Sequence, residues 1–468
     1  MDIGGRILQF FQTICRFNFG DFEKEEFKKF LRMGLIFSLI IGVYWTLRPL
    51  KDSIFIQLVD RMQLPFAKTV SVLGFFPLLM LYTRLLQRTT REKMMLIFSA
   101  FYGVAILCFA ALMFFVQKGA SNMAELSLIP FIATKALGYI WYFFVESFGS
   151  LFPALFWAFA SDTTDPTSAK RGFAFVYTMG QIGGVLFPYN IAGLPFRLGL
   201  KSDALSMFIL GFLVLLIIPL FRYFLRSTPA HLLASFQGKN EPAHEKKEEA
   251  GFFEGLKLLL QHRYLIAMFG VNFIYEVIVT IFDFNFKIAA SSQYSGVALS
   301  NYLSLYASSV NTVSLLCLLL GISNVTRYLG VGTALAAMPL IVGAALFGFL
   351  SLDSLSFMFA LMVGSKAINY ALNGPALKQL YIPTSPDARF KAQAWIETFG
   401  NRTAKEAGSV FNMLLAPLQS LCGPLAGRAY YLMLSGALGF PLLALWLIVA
   451  LYLGRTYRGA IEAKRVVC

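Results

Sequence analysis

Several side chains in one apolar segment near the start of the chain have the chemistry to hold an anion. Tyr44, Arg48 and Lys51 recur at i, i+4 and i+7, so a helix places them on one face. A charge at the bilayer centre costs at least about 2.5–3.5 kcal/mol and therefore requires a partner, water or a ligand. In one interpretation, Arg48 and Lys51 bind an anion and Pro49 kinks the helix to make room. In the other, Arg48 pairs with Asp52 and Lys51 snorkels to the outer interface.

Two glutamates lie inside other apolar segments and are the candidates for coupling. Glu146 follows the aromatic run Trp141 to Val145, with no cation near it in the sequence, and Glu276 lies early in a later segment. Each glutamate can neutralise a cation while no ligand is bound, or carry a proton. The alternative for Glu276 is a purely structural pair with a cation on another helix. Lys135 and Lys366 are possible partners for the two glutamates.

A further lysine follows a segment that we expect to interrupt its helix. The residues from Asn369 to Pro375 include two asparagines, a glycine and a proline, and Lys378 lies three positions after Pro375. A broken helix inside a membrane exposes backbone groups to a substrate. The next apolar segment carries Arg402 and Glu406 at i, i+4, and this spacing favours a structural ion pair.

The composition indicates what must position these residues. Of the 468 residues, 57% are apolar and 14% are charged, and the mean hydropathy is +0.65, far above that of soluble chains. Apolar runs long enough to cross about 30 Å of hydrocarbon as helices recur along the chain. We therefore predict an all-α membrane protein with twelve transmembrane helices. Their expected bounds are about 32–58, 66–86, 94–117, 126–160, 171–195, 204–226, 262–287, 297–322, 328–350, 354–379, 393–419 and 428–454.

The net charge of +15 is distributed unevenly among the loops. If the N-terminus is cytoplasmic, the inside loops and the tail hold Arg84, Arg88, Arg91, Lys93, Lys170, Arg171, Arg222, Arg226, Arg389, Lys391, Arg455, Arg458, Lys464 and Arg465. The outside loops carry only isolated cations, such as Lys118 and Lys201. The positive-inside rule then predicts a multi-pass protein of the bacterial inner membrane with both termini cytoplasmic. This distribution also argues against a nucleic-acid-binding role for the positive charge.

The polar intervals divide the chain into two related halves. The longest is a charged linker at 227–261, and the segment from Asp165 to Gly180 resembles the segment from Thr384 to Gly400. Two such repeats are common in secondary transporters. We expect a cytoplasmic amphipathic N-terminal segment, two six-helix halves separated by the linker, and a cytoplasmic tail. The corresponding ranges are 1–30, 31–226, 227–261, 262–455 and 456–468.

The motifs of several enzyme classes do not occur in the sequence. There is no phosphate-binding GxxxxGK[ST] loop, no HExxH zinc motif and no nucleophile elbow. The five cysteines lack metal-ligand spacing and are read as small buried apolar residues. We therefore expect a secondary transporter without a cofactor or metal, and not an enzyme.

Motifs in both halves together identify a family resemblance. The strings are Leu47-Arg48-Pro49-Leu50-Lys51-Asp52, Phe156-Trp157-Ala158-Phe159-Ala160, Ala169-Lys170-Arg171, Tyr381-Ile382-Pro383 and the segment from Phe390 to Gly408. Their order over nearly the whole chain resembles the nucleotide transporter family of plastids and obligate intracellular bacteria, the ATP/ADP translocases. The resemblance implies a major-facilitator-like fold and antiport.

The resemblance also implies roles for individual residues. Lys51, Glu146 and Glu276 match positions that are important for transport in the family. The fourth such position departs from the family pattern, because Leu377 stands where the lysine is expected and Lys378 follows it. Pro49-Leu50 is a second departure, since an Asp-Thr pair is usual there in the members that exchange energy. Both departures weaken the assignment of adenine nucleotides as the substrate.

The leading hypothesis is nucleotide exchange by alternating access, performed by a monomer in the lipid bilayer. Arg48, Lys51 and Lys378 hold the phosphates, and Tyr44, Trp141 and Tyr142 stack the base. Glu146 and Glu276 neutralise the cations between substrates. A second hypothesis is proton-coupled import of a nucleotide, NAD or another phosphorylated solute. A third, from a different class, is a membrane scaffold or receptor that transports nothing.

Overall fold

A computed structural model describes residues 22–119, 128–164, 166–233, 252–320, 328–352, 354–385, 392–393, 395–463 and 465–468. These residues are almost entirely helical, and no strand occurs among them. Most of the predicted N-terminal segment and of the linker at 227–261 lies outside the described residues. The boundaries of the predicted halves therefore stay a prediction.

The long helices of the first part of the chain are α1 (Lys24–Leu58), α2 (Leu64–Arg88), α3 (Arg91–Gly119), α4 (Leu128–Asp162), α5 (Pro166–Phe187) and α6 (Ala204–Ser227). Glu23 caps α1: its backbone N–H donates to the Glu26 carboxylate at 3.4 Å. After α5 the backbone widens into a π-helical turn, Pro188–Ala192. Short helical pieces, Leu194–Arg197 and Ala230–Leu233, precede and follow α6.

The long helices of the later part are α7 (Arg263–Gln293), α8 (Gly296–Leu319), α9 (Val331–Ser351), α10 (Leu355–Ile368), α11 (Asn401–Asn412) and α12 (Pro424–Glu462). A helix at Phe252–Gln261 precedes α7. The predicted interruption of the tenth span is present as a π-helical turn at Asn369–Asn373, after which the chain resumes as a helix at Gly374–Gln379. A second π-helical stretch, Trp395–Gly400, leads into α11, and Leu415–Cys422 follows it.

Nine helices within the described residues are long and apolar enough to cross a membrane. They correspond to α1 to α4, α6, α7, α9, α10 with its continuation, and α12. The predicted spans at 171–195, 297–322 and 393–419 are also largely helical. However, α5, α8 and α11 are not among the helices that are both long enough and apolar enough to cross a membrane. The count of twelve spans stays a prediction, whereas the all-α membrane class is confirmed.

The chain divides into two compact units. Unit 1 comprises Met1–Val59, Gly74–Glu241 and Ser295–Ser308. Unit 2 comprises Asp60–Leu73, Pro242–Tyr294 and Ser309–Cys468. Neither is a simple stretch of sequence, because each includes a short segment from the other side of the predicted linker.

In unit 1, glycines bring α4 and α5 close to α1. A Cβ atom at Gly183 of α5 would lie 2.2 Å from the Ser38 carbonyl oxygen of α1, so only glycine permits this approach. A Cβ atom at Gly149 of α4 would lie 2.2 Å from the Tyr44 ring. This contact fixes the face of α4 that is turned towards α1.

An aromatic cluster holds α4 from the side of α3. The Tyr102 ring of α3 lies 5.1 Å from the Phe148 ring and 6.0 Å from the Phe152 ring, and its hydroxyl is 3.1 Å from Ser147 Oγ. All of these side chains are buried. Ser147 adjoins Glu146, so this packing fixes the helix rotation that presents Glu146 to α1.

In unit 2, buried polar groups join α7, α11 and α12. Asn412 Nδ2 donates to the Thr280 carbonyl at 3.3 Å, and the Tyr431 hydroxyl donates to Asn412 Oδ1 at 2.6 Å. Asn285 Nδ2 donates to the Tyr431 hydroxyl at 3.3 Å. Such bonds link helices in a membrane, where apolar burial gives little preference for one helix partner over lipid. A Cβ atom at Gly408 would lie 2.8 Å from Thr280 Cβ, so the helices are also in close contact there.

Candidate functional site

Lys51 lies deep in unit 1 and not at its surface. The α-helix continues through Pro49, and Lys51 and Asp52 are only 4% and 2% exposed. A lysine that snorkels extends its ammonium group into water. Lys51 does not do so, and its charge must be balanced inside the protein.

Two carboxylates and one ring surround the ammonium group of Lys51. Lys51 Nζ donates to Glu146 Oε1 at 2.7 Å and lies 3.3 Å from Asp52 Oδ1. It also lies 3.8 Å from the centre of the Tyr142 ring, which is the arrangement of a cation–π contact. The Glu146 side chain is 46% exposed although its partner is 5% exposed. The Glu146 carboxylate is therefore the more exposed member of the pair.

Of the other candidates in unit 1, Arg48 lies near this pair and Trp141 lies in the apolar core. The Arg48 guanidinium lies 5.2 Å from the centre of the Trp45 ring and is close enough to Glu146 to interact with it electrostatically. Tyr44 is partly exposed and lies against Gly149. Trp141 is fully buried, and its ring packs 5.1 Å from that of Phe109 in the apolar core. Of the aromatic candidates, only Tyr44 is accessible in this conformation, because Tyr142 is buried under Lys51.

The two candidates in unit 2 each have a partner of their own. Glu276 of α7 pairs with Lys405 of α11 at 3.8 Å. Lys378 pairs with both carboxylate oxygens of Glu397, which also accepts from Gln393 Nε2 at 2.8 Å. These two pairs are partly exposed and are formed between different residues. The structure thus gives no contact that joins Glu276 to Lys378.

A second buried charge cluster occurs in unit 2, on residues that the sequence analysis did not place in the site. Lys366 Nζ of α10 lies 2.7 Å from Asp283 Oδ1 of α7, and Lys287 Nζ contacts the other oxygen, Asp283 Oδ2. Asp283, Lys287 and Lys366 are 8%, 8% and 6% exposed. The i, i+4 spacing of Asp283 and Lys287 inside an apolar span was the available signal. Lys366 is thus bound to Asp283 and not to Glu276. Glu146 is bound to Lys51.

The two clusters have a common arrangement. In unit 1 a lysine of α1 bonds a carboxylate of α4, and in unit 2 a carboxylate of α7 bonds a lysine of α10, with N–O distances of 2.7 Å in both. Each pair has a third charged residue beside it, Asp52 in the first and Lys287 in the second. Ionisable residues within membrane-spanning helices are rare, and they mark ion and substrate pathways.

Solved structures show which fold this is. A bacterial homologue of the human lysosomal transporter Spinster, in an inward-facing and unoccupied conformation, is 17% identical and superposes with a TM-score of 0.53 over 94% of this chain and 99% of that one. A nucleoside transporter, NupG, is 12% identical with a TM-score of 0.53 over 92% and 99% of the two chains. At these identities the similarity shows the fold alone, which is major-facilitator-like.

Sequence comparison gives the family. ADP,ATP carrier protein 1 of Rickettsia prowazekii is 25% identical over 485 residues, which cover 93% of this chain and 94% of that protein. ADP,ATP carrier protein 4 of Rickettsia felis is 24% identical, with 94% of both proteins covered. The family model described as TLC ATP/ADP transporter matches residues 9–457. This match spans nearly the whole chain, including both buried charge clusters, and the chain belongs to the TLC ATP/ADP transporter family.

Proposed function

We propose that this protein exchanges nucleotides, ATP for ADP or a related pair, across the bacterial inner membrane by alternating access. The family and the full-length similarity to ADP,ATP carrier proteins support nucleotide transport. The observation that carries the proposal is the buried Lys51 ammonium group, which is held by the accessible carboxylate of Glu146. We also propose that the protein works as a monomer with both termini cytoplasmic, as the loop charges favour.

The substrate phosphate competes with Glu146 for Lys51. Without substrate, the Glu146 carboxylate balances the positive charge of the Lys51 ammonium group. Water stabilises that charge less well than a carboxylate does at this depth. A phosphate oxygen offers the ammonium group a stronger negative charge, and Arg48 provides a second donor group beside it. Binding therefore releases Glu146 from Lys51, and the conformation favoured by the ion pair loses its advantage. A ligand changes a conformational equilibrium only through such a difference in affinity between states.

Counterflow in proteoliposomes tests this function. The purified full-length protein is reconstituted with internal unlabelled nucleotide, and uptake of labelled ATP, ADP, GTP, NAD and phosphate is compared. We expect uptake of at least one nucleotide that depends on internal nucleotide. Lys51→Ala should reduce it by at least about a hundredfold, because a buried charged partner is lost and Asp52 and Glu146 are left without it.

The matched control is Lys201→Ala, which removes an exposed lysine from a loop of the same unit. It should transport like the unmodified protein. Normal exchange by Lys51→Ala would show that Lys51 is not the phosphate-binding group. Absence of uptake of every phosphorylated solute by the unmodified protein would instead favour a scaffold or receptor.

The exposure of Glu146 favours a second candidate, proton-coupled import of a nucleotide, NAD or another phosphorylated solute. A carboxylate that is 46% exposed can exchange a proton with water while its lysine partner stays buried. Uptake by this mechanism depends on a pH gradient and needs no internal nucleotide. Exchange has the opposite requirements, so the same liposomes distinguish the two functions.

A further inference from the structure

We propose that Tyr142 is a positioning residue for Lys51: the face of its ring keeps the ammonium group in place while Glu146 and the substrate phosphate alternate as its partner. Lys51 binds the phosphate in the proposed function, on which this inference rests, and Tyr142 then has a task other than stacking the base. Lys51 Nζ lies 3.8 Å from the centre of the Tyr142 ring. All three residues belong to unit 1.

The ammonium group of Lys51 has a partner for each of its three N–H donors. Within the described part of the chain, these partners are Glu146 Oε1 at 2.7 Å, Asp52 Oδ1 at 3.3 Å and the ring of Tyr142. A phosphate oxygen therefore takes the place of one partner and is not added to them. The Glu146 side chain is 46% exposed, whereas that of Asp52 is 3% exposed and Tyr142 is fully buried. Glu146 is thus the partner that leaves, and the ring is one of the two that stay.

A ring face and a carboxylate act differently on an entering anion. A carboxylate beside Lys51 repels the phosphate and competes with it for the ammonium group. A ring attracts the cation through its quadrupole and carries no net charge, and the attraction is larger where the cation is out of water. Lys51 is 4% exposed, so its contact with the ring is of the larger kind. Tyr142 can therefore hold Lys51 both before and after the phosphate replaces Glu146.

The ring of Tyr142 is itself fixed by a ring of α1. Phe55 packs edge-on against it, with 5.3 Å between the ring centres and 70° between the planes. Phe55 packs in the same way against Tyr139, at 5.1 Å and 86°. Edge-to-face packing is a preferred arrangement of aromatic rings, and Phe55 and Tyr142 are fully buried. Tyr142 and Glu146 are one turn apart on α4, as Lys51 and Phe55 are on α1, so one helix contact holds both the ring and the carboxylate.

The ring favours the position in which Lys51 stays behind when Glu146 is displaced. A lysine side chain is flexible and can move with the carboxylate that it binds. If Lys51 moves away together with Glu146, it loses the contact with the Tyr142 ring. A weaker ring contact therefore lowers the population of the position that can receive the phosphate. The apparent affinity for the substrate falls by the same factor as this population.

Fluorinated phenylalanines in place of Tyr142 separate the charge distribution of the ring from its size. Each fluorine withdraws electrons from the ring face and weakens its attraction for a cation, with little change in volume. The measurement is the dissociation constant of labelled ATP, ADP, GTP and NAD for the purified full-length protein in detergent. Tyr142→Leu should weaken nucleotide binding by at least about tenfold, and Tyr142→Phe, which restores a ring, should recover most of this loss. Relative to Tyr142→Phe, mono-, di- and trifluorinated phenylalanine should weaken binding in steps, reaching about tenfold for the last.

The matched control is Phe159→Leu, because Phe159 is also a buried ring on α4 but packs against Phe221 of α6, with 4.9 Å between the ring centres. This variant should bind nucleotide like the unmodified protein. Thermal unfolding shows whether each variant is folded. Should Tyr142→Leu fail to fold, the fluorinated series carries the test, because it keeps a ring at this position.

Three results would overturn the inference. Equal affinities along the fluorinated series would mean that the ring only fills space. Tighter binding with each fluorine would assign the ring to stacking on the base, since an electron-poor ring stacks on a base at least as well. A loss in Tyr142→Phe as large as in Tyr142→Leu would assign the contact to the hydroxyl, which has no hydrogen-bond partner in the described part of the chain. If the unmodified protein binds none of the four nucleotides, the proposed function fails as well, so the two failures are distinguishable.

Discussion

Replacing Glu146 by glutamine gives the sharpest test of the proposed competition for Lys51. Glutamine keeps the size of the side chain and its ability to accept a hydrogen bond, but removes the negative charge. If Glu146 competes with the phosphate for Lys51, the variant should bind nucleotide more tightly. It should also exchange nucleotide more slowly, because Glu146 then no longer replaces the departing phosphate and only Asp52 remains beside Lys51.

The expected magnitude follows from the geometry. Two unit charges at the Lys51–Glu146 distance of 2.7 Å attract each other by about 6 kcal/mol at an effective dielectric constant of about 20. Exposure of Glu146 screens part of this attraction, and desolvation of Lys51 offsets another part. Asp52, at 3.3 Å, remains as a partner in the variant. We estimate that about 1–3 kcal/mol remains, which corresponds to nucleotide binding about 5–150 times tighter.

The assay is the dissociation constant of labelled nucleotide for the purified protein, together with the counterflow rate in liposomes. Asp162→Asn is a matched control, because Asp162 is also on α4, is paired with Arg91 and is 49% exposed, close to the 46% of Glu146. An exposed pair of this kind contributes only about 0–1 kcal/mol, and its loss should not alter nucleotide affinity.

Weaker or unchanged nucleotide binding by a folded Glu146→Gln variant contradicts the competition. It would mean that Glu146 acts by a direct contact with the substrate or by keeping Lys51 in place. Tighter binding with an unchanged exchange rate supports the competition and contradicts the role of Glu146 in coupling.

Three further predictions concern stability and reactivity. Lys29→Met removes the buried donor to the Thr163 and Leu232 carbonyls and should cost about 1–3 kcal/mol, seen as a lower apparent melting temperature, whereas the exposed Lys28→Met should not. Gly183→Val places side-chain atoms against the α1 backbone and should lower the melting temperature further, while Val at the uncrowded Gly270 meets no neighbour. Burial raises the pKa of the Cys468 thiol to about 11, so its alkylation rate should rise up to about pH 11; a plateau near pH 9 contradicts this.

The fold class was predictable because each transmembrane segment is encoded locally. A run of apolar residues specifies a helix in the membrane irrespective of its neighbours, since the backbone has no other partner there. The same reasoning weakens where spans contain polar groups. Residues Asn401–Asn412 of α11 include two lysine or arginine residues and a glutamate, and their side chains depend on contacts with other helices that the local sequence does not contain. The π-helical form of Asn369–Asn373 was also unpredictable, although the position of the irregularity was correct.

The candidate site was predictable in its residues but not in its pairs. Lys51 and Glu146 were both recognisable as charges within apolar spans, yet they are 95 positions apart and nothing in either segment indicates the other. Asp283 and Lys366 are 83 positions apart, and the same difficulty led the sequence reasoning to consider Glu276 as a partner for Lys366. The direction of each aromatic side chain was also unpredictable. Tyr142 contacts Lys51, whereas its neighbour Trp141 faces the apolar core.

The two clusters share a buried lysine–carboxylate pair but differ in the charged residue beside it. The lysine comes from α1 in the first cluster and from α10 in the second, and the N–O distance is 2.7 Å in both. What differs is the third residue, an aspartate beside Lys51 and a lysine beside Asp283. In the proposed mechanism, a phosphate must displace a carboxylate from Lys51, because Asp52 and Glu146 already surround its ammonium group. Binding is then coupled to the breaking of the ion pair between Lys51 and Glu146, which gives the substrate its effect on the conformational equilibrium.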